Sequence, residues 1–197
     1  MFGGFTTFYE LFTTVWHPDA MIDISDNDHH IFDFFISCTG NGKFLESARL
    51  TAKAQEGYTR NNITTTDYLE ASIGVPVFSE RFVDTLGEQV KEDVDFFECF
   101  VQCNREEFLF YVGKVKRIIS NLIDQENSLY MTLTDGEQIL KRAIFIEQID
   151  TPFFLARDMD FKTRWVVSEE FKDLVKEMMQ AEEDDLQKGW KPTEDRQ

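Results

Sequence analysis

VDFFECFVQC, from Val94 to Cys103, and EFLFYVGKVKRIISNL, from Glu107 to Leu122, flank the turn-forming stretch Asn104-Arg105-Glu106. Both runs are aromatic and β-branched with imperfect alternation, a composition that suits a pleated, half-buried surface. The reading is a β-meander. It continues through Ser128 to Leu133, the turn signal Asp135-Gly136 and the run from Ile139 to Ile149. A sheet should therefore dominate the core.

Helices join this sheet at two places. After Gly74-Val75-Pro76-Val77-Phe78, the segment Ser79-Glu80-Arg81-Phe82 opens a run in which Phe82, Leu86 and Val90 recur every four residues. Ser79 is the expected N-cap, its hydroxyl accepting from an unpaired first-turn amide, and Glu80 complements the helix dipole. Towards the end, the extended stretch Arg164 to Val167 leads through Ser168-Glu169-Glu170 into Phe171, Leu174, Val175, Met178 and Met179 at helical spacing, with Ser168 as the cap. Val77–Asp84 and Val166–Asp173 share Val, Ser, Glu, Phe and Asp at the same offsets. The same strand, Ser cap and helix unit is thus expected twice, although chance convergence on a good capping signal gives the same pattern.

The remaining elements read as follows. HIFDFFISC, from His30 to Cys38, is expected as a strand running into the turn Thr39-Gly40-Asn41-Gly42. Lys43 to Tyr58 has helical propensity, Thr59 to Thr66 reads as a polar surface connection, and Thr66 or Asp67 would cap a short helix. The expected fold is α+β: a mixed or mostly antiparallel sheet with a few packed helices, in one domain over residues 1–185. Residues 186–197 form a partly frayed tail, on which Trp190 would dock against the body.

The chain has 197 residues and a hydrophobic fraction of 42%, enough for one good core. Its formal net charge is -17, which repels nucleic-acid phosphates and anionic lipid headgroups. No apolar run approaches the roughly 20 residues a membrane helix needs, and no signal-peptide pattern stands at the N-terminus. Cys38, Cys99 and Cys103 are an odd set that reads as reduced thiols. A cytoplasmic protein is expected, with no membrane or nucleic-acid partner.

The acidity favours a basic protein partner, although an acidic surface also serves solubility alone. Met1 to Gly42 contain no Lys or Arg. Asp19, Asp23, Asp26 and Asp28 in that segment, together with Glu88, Glu92, Asp93 and Asp95, are the expected partner-binding residues.

Chemistry-bearing patterns are weak. His29-His30 with Asp26 and Asp28 has the residue types of a metal site but the spacing of none, so no metal or other cofactor is expected. Cys99 and Cys103 lack zinc spacing and a neighbouring base, and read as buried small residues. Neither Ser79 nor Ser168 sits in a nucleophile elbow. With no phosphate-binding glycine loop either, no catalytic residue is expected and the chain reads as a binding protein, not an enzyme.

Thr66-Asp67-Tyr68-Leu69, Gly74 to Phe82, Ile123 to Ser128, Trp165 to Phe171 and Leu186-Gln187-Lys188-Gly189-Trp190 follow one another in an order that resembles an immunity protein family of bacterial polymorphic toxin systems. The resemblance covers roughly residues 64–190; residues 1–63 match only loosely. It implies a cytoplasmic antitoxin that binds and neutralises a cognate toxin domain, and it transfers no catalytic residue. The alternative is an acidic structural or regulatory interaction module unrelated to toxins.

Overall fold

The computed structural model describes residues 7–13, 15, 17, 20–25, 29–146, 149, 151–178 and 191–192. The chain runs through β1 (Phe8–Glu10), β2 (Ile22–Ile24), a π-helical turn (Phe32–Ile36), a 3-10 turn (Lys43–Glu46), β3 (Leu50–Ala54) and α1 (Arg60–Thr65). β4 (Tyr68–Glu70), β5 (Pro76–Ser79), α2 (Glu80–Val90), β6 (Val94–Cys103) and β7 (Glu106–Val115) follow. Then come β8 (Ile118–Ile119), β9 (Leu129–Thr132), β10 (Gln138–Arg142), β11 (Leu155–Asp158), β12 (Trp165–Ser168), α3 (Glu169–Met178) and β13 (Lys191–Pro192). The fold is α+β. No helix among the described residues is long and apolar enough to cross a membrane.

The sequence 94–115 forms the expected ribbon: β6 and β7 pair antiparallel over their full length, from Val94 opposite Val115 to Cys103 opposite Glu106. Asn104 turns the chain with a positive φ of 60°, which Asn tolerates better than most side chains. This ribbon lies at the centre of a six-stranded mixed sheet of order β2-β3-β6-β7-β5-β4, in which β3 runs parallel to β6. A second mixed sheet has the order β13-β1-β12-β11-β8, and β9 with β10 makes a separate hairpin.

Three apolar clusters follow from strand alternation. Cys99, Val101, Phe110 and Val112 face one side of the six-stranded sheet, under Phe34, Phe35 and Ile36 of the π-helical turn. The other side is half covered: Val94, Val115 and Phe78 pack with Phe82, Leu86 and Val90 of α2 and with Phe171 and Val175 of α3. Tyr9, Leu155, Trp165 and Val167 of the second sheet close that cluster, whereas Phe8, Ala156 and Val166 on its opposite face join a third with Leu122 and Phe145.

Both strand-cap-helix units form. The Ser79 hydroxyl accepts from the Phe82 amide at 3.1 Å and the Ser168 hydroxyl from the Phe171 amide at 3.2 Å. The two units meet at equivalent positions, with the Phe82 and Phe171 rings 5.9 Å apart.

Four expectations give way to packing. The stretch His30–Cys38 is helical, not extended: a strand would send Phe34 and Phe35 to opposite faces, whereas both rings pack on Phe97, each at 5.3 Å. Lys43 to Tyr58 is not a helix. Its Leu50–Ala54 portion alternates Leu50 and Ala52 inward with Thr51 and Lys53 outward, and pairing beside β6 overrides the helical propensity. The short helix precedes Thr66 and does not follow it, because Thr59 and Asn62 close a reciprocal capping box at the start of α1. The strand-rich run from Glu107 breaks after Val115, resumes only as the short β8 (Ile118–Ile119) in the other sheet, and β10 ends at Arg142. Met179, the acidic run from Glu182 to Asp185 and Trp190 lie outside the described residues.

Candidate protein-binding face

α2 and α3 cover only part of the outer face of the six-stranded sheet. Where they end, β6 and β7 present Glu98 opposite Tyr111, Phe100 opposite Leu109 and Gln102 opposite Glu107. β3 extends these rows, with Thr51 opposite Phe100 and Lys53 opposite Gln102, and β2 adds Asp23 opposite Lys53. Phe100, Leu109 and Tyr111 are half-buried, and Glu98, Gln102, Glu107, Thr51, Lys53 and Asp23 are exposed. An aromatic and aliphatic stripe therefore lies open on the most fully paired strands of the protein.

Carboxylates frame the stripe. On α2, Phe82, Leu86 and Val90 are buried while Glu80, Asp84 and Glu88, four residues apart, occupy the exposed side. Burial first, then the charges of Glu80, Glu98 and Asp84, raise the pKa of the Tyr111 hydroxyl, placing these acids of helix and sheet around one ring. Opposite them Arg49 lies 3.2 Å from the centroid of the Phe100 ring and 3.3 Å from Glu107. The arrangement has the parts of a protein interface: rigid aromatic anchors inside a charged rim that selects the partner's sign.

The residues expected from sequence fall into three groups. Asp23 and Glu88 are exposed on the side of the open face, and Glu92 is exposed in the turn after α2, while Glu88 also pairs with Lys91 at 2.9 Å. Asp95 is exposed but lies on the other side of the ribbon, opposite Lys114, whose ammonium sits 3.6 Å over the Phe34 ring; it pairs with Lys116 at 2.7 Å. Asp93 is a correction. It is 2% exposed, and its carboxylate accepts from Arg117 Nε at 3.0 Å and from the Phe154 amide at 2.6 Å, tying the two sheets together. A carboxylate so engaged cannot meet a partner. Asp19, Asp26 and Asp28 lie outside the described residues.

Sequence reasoning, which reached Glu98 only as the end of the acidic segment from Glu88, did not find Glu80, Asp84, Phe100, Leu109 and Tyr111. The signal for Glu80 and Asp84 was present, since the buried Phe82-Leu86-Val90 stripe fixes which acids point outward. The others needed the knowledge that α2 stops short of them.

Cys99 and Cys103 are buried on one face of β6, and burial pushes the Cys99 thiol up to about 12. His30 stacks on Phe44 at 5.9 Å. Ser79 donates to Asp67 Oδ1 at 2.5 Å, and Arg81 reaches both oxygens of that buried carboxylate. Ser79 is thus held between its cap contact with the Phe82 amide and the Asp67 carboxylate, which Arg81 neutralises. No protein-family model matches the chain, and no curated protein matches it.

Proposed function

We propose that this chain is an immunity protein that binds a basic toxin domain one to one through the open sheet face and neutralises it in the cytoplasm without turning anything over. The observation that carries the reading is the Phe100-Leu109-Tyr111 stripe framed by Glu80, Asp84 and Glu98. Half-buried rings on paired strands are held in place before binding, so docking them orders few rotamers. The acids would raise the encounter rate with a cationic partner and exclude nucleic acid from the same surface.

Coexpression with the toxin domain encoded beside this chain tests the proposal. Growth rescue is expected for the unmodified chain, and loss of rescue for Glu80→Lys/Asp84→Lys/Glu98→Lys at unchanged expression. Full rescue by that variant would refute the face assignment. No rescue by the well-folded unmodified chain would refute immunity and leave the interaction-module reading.

A further inference from the structure

We propose that the β9–β10 hairpin is a self-association surface, on which a second copy of this chain pairs antiparallel and edge to edge along β10. The hairpin belongs to neither larger sheet: β9 pairs with β10 alone, so among the described residues the outer edge of β10 has no partner strand. Two strands are marginal in water and are strengthened by further ones, and an open edge is a template for them.

One face of the hairpin packs on the body. Tyr130 and Leu140 stand opposite one another and turn inward: the Tyr130 ring lies 6.3 Å from that of Phe161, and Leu140 packs against the third apolar cluster. The other face is apolar and open. Leu129, Met131 and Leu133 alternate along it, Ile139 stands opposite Met131, and these side chains are between 36% and 53% exposed. They are four of the six large apolar side chains exposed among the described residues. Single exposed apolar residues need no explanation, but such a concentration marks an interaction surface.

The charges of the hairpin select a copy of itself. From Ser128 to Ile144 the acids are Asp135 and Glu137 and the bases Lys141 and Arg142, so this segment is neutral in a chain of net charge -17 and two copies meet there without local repulsion. Glu137 and Lys141 are exposed, each two residues from Ile139. A two-fold axis beside Ile139 sets Ile139 opposite its copy, Glu137 opposite the copy's Lys141 and Lys141 opposite the copy's Glu137, all on the open face. The backbone agrees with this register. Leu133 donates to the Glu137 carbonyl at 2.7 Å, and by antiparallel alternation Ile139 bonds towards β9 while the N–H and C=O of Gln138 and Leu140 point outward. Gln138 then exchanges hydrogen bonds with the copy's Leu140. The irregularity of the ladder falls between Leu140 and Arg142, at the end of this register, and Lys141 stays exposed there. A Lys on an open edge deters strands that bring no acid to meet it; a second copy brings Glu137. The free edge of β9, Leu129–Thr132, carries no charge and offers no such selection. Because the hairpin lies outside the six-stranded sheet, this inference holds whether or not a toxin docks on the open face.

Sedimentation velocity of the full chain from about 1 to 300 µM, in about 0.15 M salt to screen the long-range repulsion of two acidic chains, tests it. A reversible monomer–dimer equilibrium is expected, with a dissociation constant on the order of 10–100 µM, since one short strand per copy makes a small interface. Glu137→Lys alone and Lys141→Glu alone each set like charges opposite one another twice per dimer and should weaken it about fivefold or more. The double change Glu137→Lys/Lys141→Glu should restore it to within about threefold, a recovery that a merely structural effect of either change would not give. A monomer throughout the range would overturn the proposal and leave the hairpin to a strand of another protein, and this measurement needs no variant to fold. A dimer indifferent to the single changes, or not recovered by the double one, would place self-association elsewhere, and assemblies growing beyond the dimer would exclude a closed two-fold pairing.

Discussion

Asp93 and Glu98 differ by five positions in one acid-rich strand region, and their fates are opposite: Asp93 is fixed inside by Arg117 and the Phe154 amide, while Glu98 faces water beside Tyr111. Composition cannot distinguish them, because the partner that buries Asp93 stands 61 residues away. Cys38 is half-buried while Cys99 and Cys103 are buried. A disulfide-exchange reagent at neutral pH is therefore expected to modify one thiol rapidly in the native protein and all three after denaturation; three fast thiols would contradict the packing. Cys99 also sets a pH dependence. Its thiol titrates at 9.0 ordinarily and at about 12 in the fold, so between those values the unfolded chain loses a proton that the folded chain keeps. Its contribution is fully present below about pH 9 and is lost as pH rises towards 12, by at most about 1.4 kcal/mol per pH unit. Denaturant midpoints of Cys99→Ala should fall less steeply above pH 9 than those of the unmodified protein; parallel slopes would rule the effect out.

At the scale of elements, the two Ser-capped helices were legible because cap, first-turn acid and four-residue apolar spacing are local signals. The ribbon from Val94 to Val115 was legible for the same reason. The segments His30–Cys38 and Lys43–Tyr58 were not, since each is settled by a distant neighbour: Phe97 for the first and β6 for the second. The meeting of Phe82 with Phe171 also lay beyond the sequence, although the matching offsets pointed to equivalent roles. Each ring is fully or nearly fully buried, and truncation of either to Ala should cost about 3–5 kcal/mol by chemical denaturation. A double-mutant cycle should return a coupling of roughly 0.5–1.5 kcal/mol. Strict additivity would mean that the two units fold side by side without supporting one another.

At the scale of the whole molecule, a net charge of -17 is distributed so that apolar surface and acids meet on the open sheet face. The sequence pointed to acidity and to a protein partner; which acids share a face depends on where α2 ends over the sheet. Two consequences separate field from contact. Raising ionic strength from about 0.05 to 0.5 M should slow association with a basic partner at least tenfold and change dissociation much less, because screening acts on the encounter. A salt-independent association rate would remove the acidic rim from the account.

Affinity for the toxin domain proposed as partner, measured side by side for the unmodified chain and for Phe100→Ala/Tyr111→Ala with circular dichroism confirming the fold, tests the open face most directly. The account predicts a loss of at least a hundredfold, about 2.7 kcal/mol, carried mainly by faster dissociation. Unchanged affinity in the folded variant would place the interface elsewhere on the molecule.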